Sequence, residues 1–405
     1  MKKIIKKADA IVGIVCIITF ILITVSQYFL PENIVFYGNQ NKMNIHGVYQ
    51  IKETNSDIIT VSLSENDNCT ADISILGIIP VGKKNAKKTE RKYVNVGGDA
   101  VGIRLYTDGV LVVGTDEVVT SQGSINPGEL CGIKSGDIII EINDEIVCSV
   151  ADFSNQIVSS DGKNVSITVI RDSKKLYFSL KPVFSESEEK YRCGLWLRDS
   201  TAGIGTLTFV DSESKMFASL GHAICDSETQ SVLPVGDGDI LSATISGVEK
   251  GEKGITGQIK GNFGDKVLGE LIENNEYGIY GTYSDTEILY GELLPVASQT
   301  EIKTGDAQII CNIDGYGTEY YDVEIEKITY SNVKETRSMI IEVTDEDLLE
   351  KTGGIVQGMS GSPIIQNGML VGAVTHVFLN EPAKGYAIFA ETMLSEAERI
   401  KTQLD

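Results

Sequence analysis

Histidine is the scarcest of the chemistry-bearing residues: only three, His46, His222 and His376, occur in 405 positions, so any mechanism that needs an imidazole has three places to find it. Cysteine is sparse too, at 16, 69, 131, 148, 193, 225 and 311, with no C-x-x-C pair and an odd total. That pattern supports neither a zinc site nor a disulfide framework, and an isolated cysteine ordinarily serves as a small buried hydrophobe. Positive charge is short as well. Against 57 Asp and Glu stand 35 Lys and Arg, and the net charge of -22 removes the electrostatic footing for nucleic-acid binding. Repeats and low-complexity tracts are missing, and 42% hydrophobic with 23% charged residues is the composition of folded domains. The length provides for two or three domains, each with its own core. No metal-ligand spacing or cofactor motif stands out, so no cofactor is expected.

Long apolar runs are confined to one place. Met1-Lys2-Lys3-Ile4-Ile5-Lys6-Lys7 precedes an apolar run from Ala10 to Val25 that continues, interrupted by Ser26 and Gln27, to Leu30. A membrane-spanning helix needs roughly 20 apolar residues and a cleavable signal core about 7–15, so residues 1–31 read as cytoplasmic lysines and a transmembrane anchor. Positive residues stay inside, which places the remainder across the membrane. A cleaved signal peptide is the alternative, against which Gln27, Tyr28 and Phe29 occupy the expected cleavage region.

The rest is expected to be mainly β. Residues 32–91 alternate as strands in 58–63 and 71–76 and end in the basic stretch Lys83-Lys84-Asn85-Ala86-Lys87-Lys88, which reads as a small β-rich spacer closed by an exposed linker. Residues 92–185 show short strands broken by glycine and one helical stretch near 151–158. The run from Pro127 to Asn143 resembles the core signature of PDZ domains, in which Gly136-Asp137 leads into a buried strand with Ile138, Ile140 and Ile142 alternating. PDZ domains bind peptides by strand addition, with backbone N–H groups holding a terminal carboxylate. By that resemblance the cradle is Val101, Gly102, Ile103, Arg104 and Leu105. The charged stretch Glu186–Lys190 marks a boundary near 185–191. Many short strands in residues 186–405 argue for a β-barrel or sandwich pair.

Gly358-Met359-Ser360-Gly361-Ser362-Pro363 has the residues a nucleophile loop needs. Glycines on both sides of Ser360 allow a tight turn that exposes its hydroxyl and brings N–H groups onto a developing oxyanion. The pattern resembles the Gly-x-Ser-Gly-x-Pro loop of chymotrypsin-like peptidases, which implies a double β-barrel and oxyanion-hole donors at Gly358 and Ser360. It is not the Gly-x-Ser-x-Gly elbow, because Ser362 holds the last position. His222 follows the apolar stretch Met216–Leu220 and precedes the serine, the order His…Asp…Ser, and is the candidate base. His376 lies just after the nucleophile as a structural residue or a cleft wall.

Asp199–Thr206, Leu220-Gly221-His222-Ala223-Ile224 and Thr352–Gly368 resemble the stage IV sporulation protein B peptidases of spore-forming Firmicutes. The resemblance implies an anchored, self-cleaving serine endopeptidase, exported from the forespore into the space between two membranes. There it cuts a regulator of an intramembrane protease, so that a mother-cell sigma factor is activated. It also implies Asp345 as the acid of the triad. Asp347 lies close by, Asp237, Asp239 and Asp265 lie upstream, and an Asp ahead of Leu348-Leu349 also suits a helix cap. The alternative function is a non-catalytic PDZ scaffold whose protease-like domain only binds partners.

Overall fold

A computed structural model of the chain describes residues 34–38, 40–45, 48–54, 67–284, 292–330 and 336–405, with isolated positions between 17 and 30. Apart from those positions the expected anchor lies outside the described residues, as does His46. Among the described residues no helix is long and apolar enough to cross a membrane.

Five strands, β1 (Ile34–Tyr37), β2 (Lys42–Ile45), β3 (Tyr49–Glu53), β4 (Asp67–Ile75) and β5 (Ile79–Thr89), form a sheet in the order β1-β5-β4-β3-β2. Ile34, Phe36, Ile51, Ala71 and Ile73 bury one face. The lysine-rich stretch expected as a linker is part of β5, paired with β4 on one edge and β1 on the other. Asp72 and Glu53 match Lys83 and Lys88 across the sheet. Cross-strand carboxylates make a strand of lysines that read, by charge alone, as a loop.

After β6 (Tyr93–Val96), the 16-residue strand β7 (Ala100–Thr115) serves two units in turn. Its second half opens the PDZ-type unit, which holds the ribbon β8 (Val118–Thr120) and β9 (Gly123–Ile125), helix α1 (Pro127–Cys131), β10 (Ile138–Ile142), β11 (Glu145–Ile146), helix α2 (Val150–Ser159), β12 (Val165–Arg171) and β13 (Lys174–Leu180). A second ribbon, β14 (Val183–Ser185) and β15 (Lys190–Arg192), follows. Asn126 caps α1 by accepting from Glu129 N–H, Pro127 starts it, and left-handed Gly132 ends it. Gly136, at φ +92°, makes the turn that puts Asp137 fully inside, where it accepts from Lys134 N–H and pairs with Arg171 at 2.6 Å. The alternation expected in β10 is interrupted. A bulge between Ile139 and Glu141 shifts the phase, so Ile139 and Ile142 are the fully buried residues.

The chain returns on β16 (Leu195–Val210), antiparallel to the whole of β7 from Leu195↔Thr115 to Thr206↔Ala100. With β17 (Met216–Ser219), β18 (Val235–Glu249), β19 (Gln258–Asn275) and β20 (Gly278–Tyr283), the pairings run β7-β18-β19-β20-β17-β16 and back to β7, closing a first barrel. β21 (Leu293–Pro295) pairs with β6. The second barrel is β22 (Gly305–Cys311), β23 (Glu319–Ile328), β24 (Met339–Val343), β27 (Glu381–Phe389), β26 (Met369–Phe378) and β25 (Pro363–Gln366), in that order around the ring. Helix α3 (Glu346–Thr352) precedes the Ser360 loop, and helix α4 (Ala390–Leu404) covers β17 and β26 with Met393, Ala397 and Ile400.

The strand pairings add a feature that the expected boundary at 185–191 does not describe. The PDZ-type unit precedes most of the first barrel's strands, and β7, which leads into it, also pairs with β16 and β18 of that barrel. These pairings correct the cradle. Val101, Ile103 and Leu105 point into the first barrel's core, Arg104 pairs with Asp239 on β18, and Gly102 lies against the Phe263 ring. Both edges of this segment are already hydrogen-bonded, to β16 and β18, which leaves no edge for strand addition.

Candidate active site

The nucleophile loop is built by glycines that no other residue could replace. Gly361, at φ +94°, passes so close to β16 and Leu220 that a Cβ would stand 2.1 Å from the Thr206 carbonyl oxygen. Gly358, at φ +99°, packs on Ile259. Both lie in the left-handed region where a side chain is strained. Thr206 then holds the loop from the first barrel: its Oγ1 donates to the Gly358 carbonyl at 2.7 Å and its N–H to the Ser360 carbonyl at 2.9 Å. Thr208 Oγ1 donates to the Gly361 carbonyl at 2.7 Å, and Ser219 Oγ donates to the Thr206 carbonyl.

Those bonds orient the expected oxyanion donors. The Gln357 carbonyl accepts from Ile259 N–H and the Met359 carbonyl from Ser362 N–H. In a trans peptide the following N–H points the opposite way, so the N–H groups of Gly358 and Ser360 face away from these donors, and neither meets an acceptor among the described residues. Two free N–H groups flanking a serine hydroxyl are what a tetrahedral oxyanion needs.

His222 enters from β17 through Leu220 and Gly221, both at positive φ. Its Nδ1 lies 2.9 Å from the Ala223 carbonyl oxygen, which can only accept. The proton is therefore on Nδ1, and Nε2 keeps the lone pair that a general base uses. Burial pushes the His222 pKa below its ordinary value, with the Ala223 carbonyl opposing in part, so the ring is neutral and able to take a proton at pH 7. His222 and Ser360 line one cleft of about 440 Å³ between the barrels, with Thr201–Ile204 of β16 and Thr375–Val377 of β26 on its walls. Ser360 Oγ donates to the Thr375 carbonyl at 2.8 Å, a resting position from which it must turn to reach the imidazole. His376 is a cleft wall, its ring centroid 4.7 Å from that of His222, its Nδ1 buried without a partner and its pKa lowered to about 4 by burial and by His222.

Asp345 is not brought to the imidazole. It caps α3, accepting from Leu348 N–H at 2.9 Å, and also accepts from Asp322 N–H. Asp239 is occupied by Arg104, Asp237 accepts from Gly238 N–H, and among the described residues no Asp or Glu lines the cleft. The acid expected at Asp345 is thus corrected in this structure: the tautomer is set by a backbone carbonyl, and the cap reading holds. Sequence reasoning missed Thr206 and Thr208, which bond the loop from one face of β16. Their signal was two hydroxyls at alternate positions of an otherwise apolar strand.

Two closed barrels with Ser360, His222 and Gly358 lining the cleft between them have the arrangement of a double-barrel serine endopeptidase. The model of the SpoIVB peptidase S55 family matches residues 189–394, half of the chain, and a PDZ domain model matches residues 81–181. The chain belongs to the SpoIVB peptidase S55 family. No curated protein matches it. Among solved structures it is similar to the PDZ domain of the SdrC-like protein Lmo2051 from Listeria monocytogenes (24% identity, 22% of this chain and 87% of that one, TM-score 0.19). It is also similar to the Rv3671c protease of M. tuberculosis in its active form (14% identity, 49% and 74%, TM-score 0.31). A further similarity is to the HtrA-type protease AlgW with a decapeptide (13% identity, 50% and 54%, TM-score 0.30).

Proposed function

We propose that this peptidase is anchored by residues 1–31 in the forespore membrane, with its catalytic part in the intermembrane space of the developing spore. There it cleaves itself and a protein regulator of an intramembrane protease, so that a mother-cell sigma factor is activated. The observation that carries the chemistry is the cleft shared by Ser360, Nδ1-protonated His222 and the free N–H groups of Gly358 and Ser360. The N-terminal lysines followed by the apolar run support the anchor, and family membership supports the sporulation setting. Purified full chain, incubated alongside its Ser360→Ala form, tests self-cleavage. Wild type is expected to fragment with time, and Ser360→Ala to stay intact alone and be cut when wild type is added. Identical fragments from both would reject the reading. Alkaline extraction of membranes from cells making the Ser360→Ala form tests the anchor, which predicts that the chain stays in the membrane pellet.

A further inference from the structure

The N-terminal sheet, which the peptidase site does not use, has two unlike ends. β3 pairs with β4 from Tyr49↔Ile75, and β4 turns into β5 through Leu76, Gly77 and Ile78. Leu76 N–H donates to the Val48 carbonyl at 2.7 Å, so the turn before β3 and the turn after β4 meet at one end. Three apolar side chains stand out there: Val48 is 43%, Leu76 66% and Ile78 80% exposed. In a chain with 57 Asp and Glu, positions 45–50 and 74–82 hold no Asp, Glu, Lys or Arg. The opposite end carries Lys42, Lys52, Glu53, Asp67 and Lys88. Single exposed apolar residues are ordinary, but three together with every charge withdrawn mark a contact surface.

Turn chemistry does not explain Leu76. It sits at φ +51° ahead of Gly77 at φ +71°, a left-handed pair in which Asn or Asp ordinarily precedes the glycine. A leucine is strained in that region and gains little burial in return. The chain also enters the sheet at this end. β1 runs parallel to β5 from Ile34↔Ala86, so β1 starts on the side of the turn. Leu30, where the apolar run from Ala10 finishes, is buried in the sheet's own core. Its carbonyl accepts from Lys84 Nζ at 3.1 Å, two positions nearer the turn than Ala86. A run long enough to cross a bilayer therefore ends inside the sheet, on the side where Val48, Leu76 and Ile78 protrude.

We propose that the end of the sheet formed by Val48, Leu76 and Ile78 dips into the bilayer that holds the anchor, as a second, shallow membrane contact that fixes how the sheet stands on the membrane. The proposal rests on the anchor reading given under the proposed function. The anchor brings a lipid surface to this end of the sheet whenever the chain is inserted. Apolar side chains gain by entering the acyl boundary, and no carboxylate beside them is there to be repelled by anionic headgroups. The sheet is in turn tied to the second barrel's side of the molecule. The Arg91 guanidinium lies 4.0 Å over the Tyr37 ring of β1 and pairs with Glu301 at 2.7 Å, so an orientation fixed at the sheet is passed on toward the catalytic cleft.

The test uses the full chain as Ser360→Ala, to prevent self-cleavage, in vesicles of phosphatidylcholine and phosphatidylglycerol that include a phosphatidylcholine with a photoreactive diazirine on its acyl chain. Vesicles are floated, irradiated, and the protein mapped by mass spectrometry. Adducts on the peptide holding Ser74–Gly82 are expected to exceed those on the peptide holding fully exposed Tyr316 by at least about tenfold, the partition of one buried apolar side chain. Leu76→Asp combined with Ile78→Asp is expected to bring the tip adducts down to the Tyr316 level while the chain still floats and keeps adducts in residues 10–30. The contrast within the chain carrying Leu76 and Ile78 decides even if that variant does not fold. Flotation with adducts in residues 10–30, but none above the Tyr316 level at Ser74–Gly82, overturns the tip contact and leaves the anchor. Tip adducts undiminished in the folded double variant overturn it too. Dimers joined through Lys83 or Lys84 by an amine cross-linker, with no tip adducts, assign the surface to a second copy. A chain that neither floats nor takes adducts rejects the anchor and the tip contact together.

Discussion

The two barrels perform unequal tasks. The second is a ring of consecutive strands, closed on itself, and it carries the Ser360 loop on glycines that the packing demands. The first is interrupted: between β7 and β16 it receives the PDZ-type unit, and it carries His222 and the Thr206 and Thr208 hydroxyls that hold the loop from outside. Ser360, the proposed nucleophile, and the proposed oxyanion donors thus belong to the barrel without an insertion. His222, the proposed base, and the contacts that align it with Ser360 belong to the barrel that is joined to the PDZ-type unit. A structure divided in this way can change alignment without rebuilding the nucleophile loop.

The largest effects should come from the two side chains that do chemistry, one from each barrel. Ser360→Ala and His222→Ala are each expected to lower kcat/KM by about 10⁴-fold or more, since nucleophile and base act as a unit. A His222→Ala variant retaining a tenth of the wild-type rate would break the division, and peptide hydrolysis by purified variants measures it. Smaller is the effect of the link between barrels. Thr206→Val removes one neutral hydrogen bond, worth about 0.5–1.5 kcal/mol, and should slow turnover about three- to tenfold while leaving the fold intact by circular dichroism.

The pH dependence sharpens the comparison from the base's side. Burial holds His222 below the ordinary histidine value, so the acid limb of kcat/KM should fall below about pH 6.5, and an acid limb above that would place the base elsewhere. Stability carries the same sign. Both buried imidazoles bind protons more readily in the unfolded chain, so their contribution to stability should be full above about pH 6.5 and be lost as pH falls toward about 4, where folded His376 also protonates, while buried Glu391, its pKa raised to about 7, contributes with the opposite sign. Denaturant unfolding across pH 4–8 measures this, and His376→Ala should flatten the decline. The smallest effect on rate belongs to Asp345. As the cap of α3, Asp345→Ala should cost about 1 kcal/mol of stability and leave kcat/KM within about threefold. A loss of several orders of magnitude would restore it to the triad.

What could be read from the sequence divides along the same line. Gly358–Pro363 was legible because a nucleophile loop is local: its glycines, serine and free N–H groups all lie within six residues. His222 was legible because so few histidines compete with it. The Gly136-Asp137 turn was legible for the same local reason, whereas the bulge beside it moved the buried positions of β10 out of the expected alternation. Strand partnership was not legible. Val101–Leu105 has the residues of a peptide cradle, yet β18, more than 130 positions away in the chain, takes the edge such a cradle needs. The insertion was hidden likewise, because β7 and β16 each serve two units without any break in composition. The acid could not be found by pattern because a backbone carbonyl fixes the His222 tautomer and leaves no side-chain signature.

Labelling of the purified full chain with a fluorophosphonate, followed by peptide mass mapping, tests the central claim most directly. The account predicts a single adduct on Ser360, formed at least about 10³-fold more slowly in His222→Ala and at a rate within about threefold of wild type in Asp345→Ala. An adduct on another residue, or equal rates in wild type and His222→Ala, would contradict it.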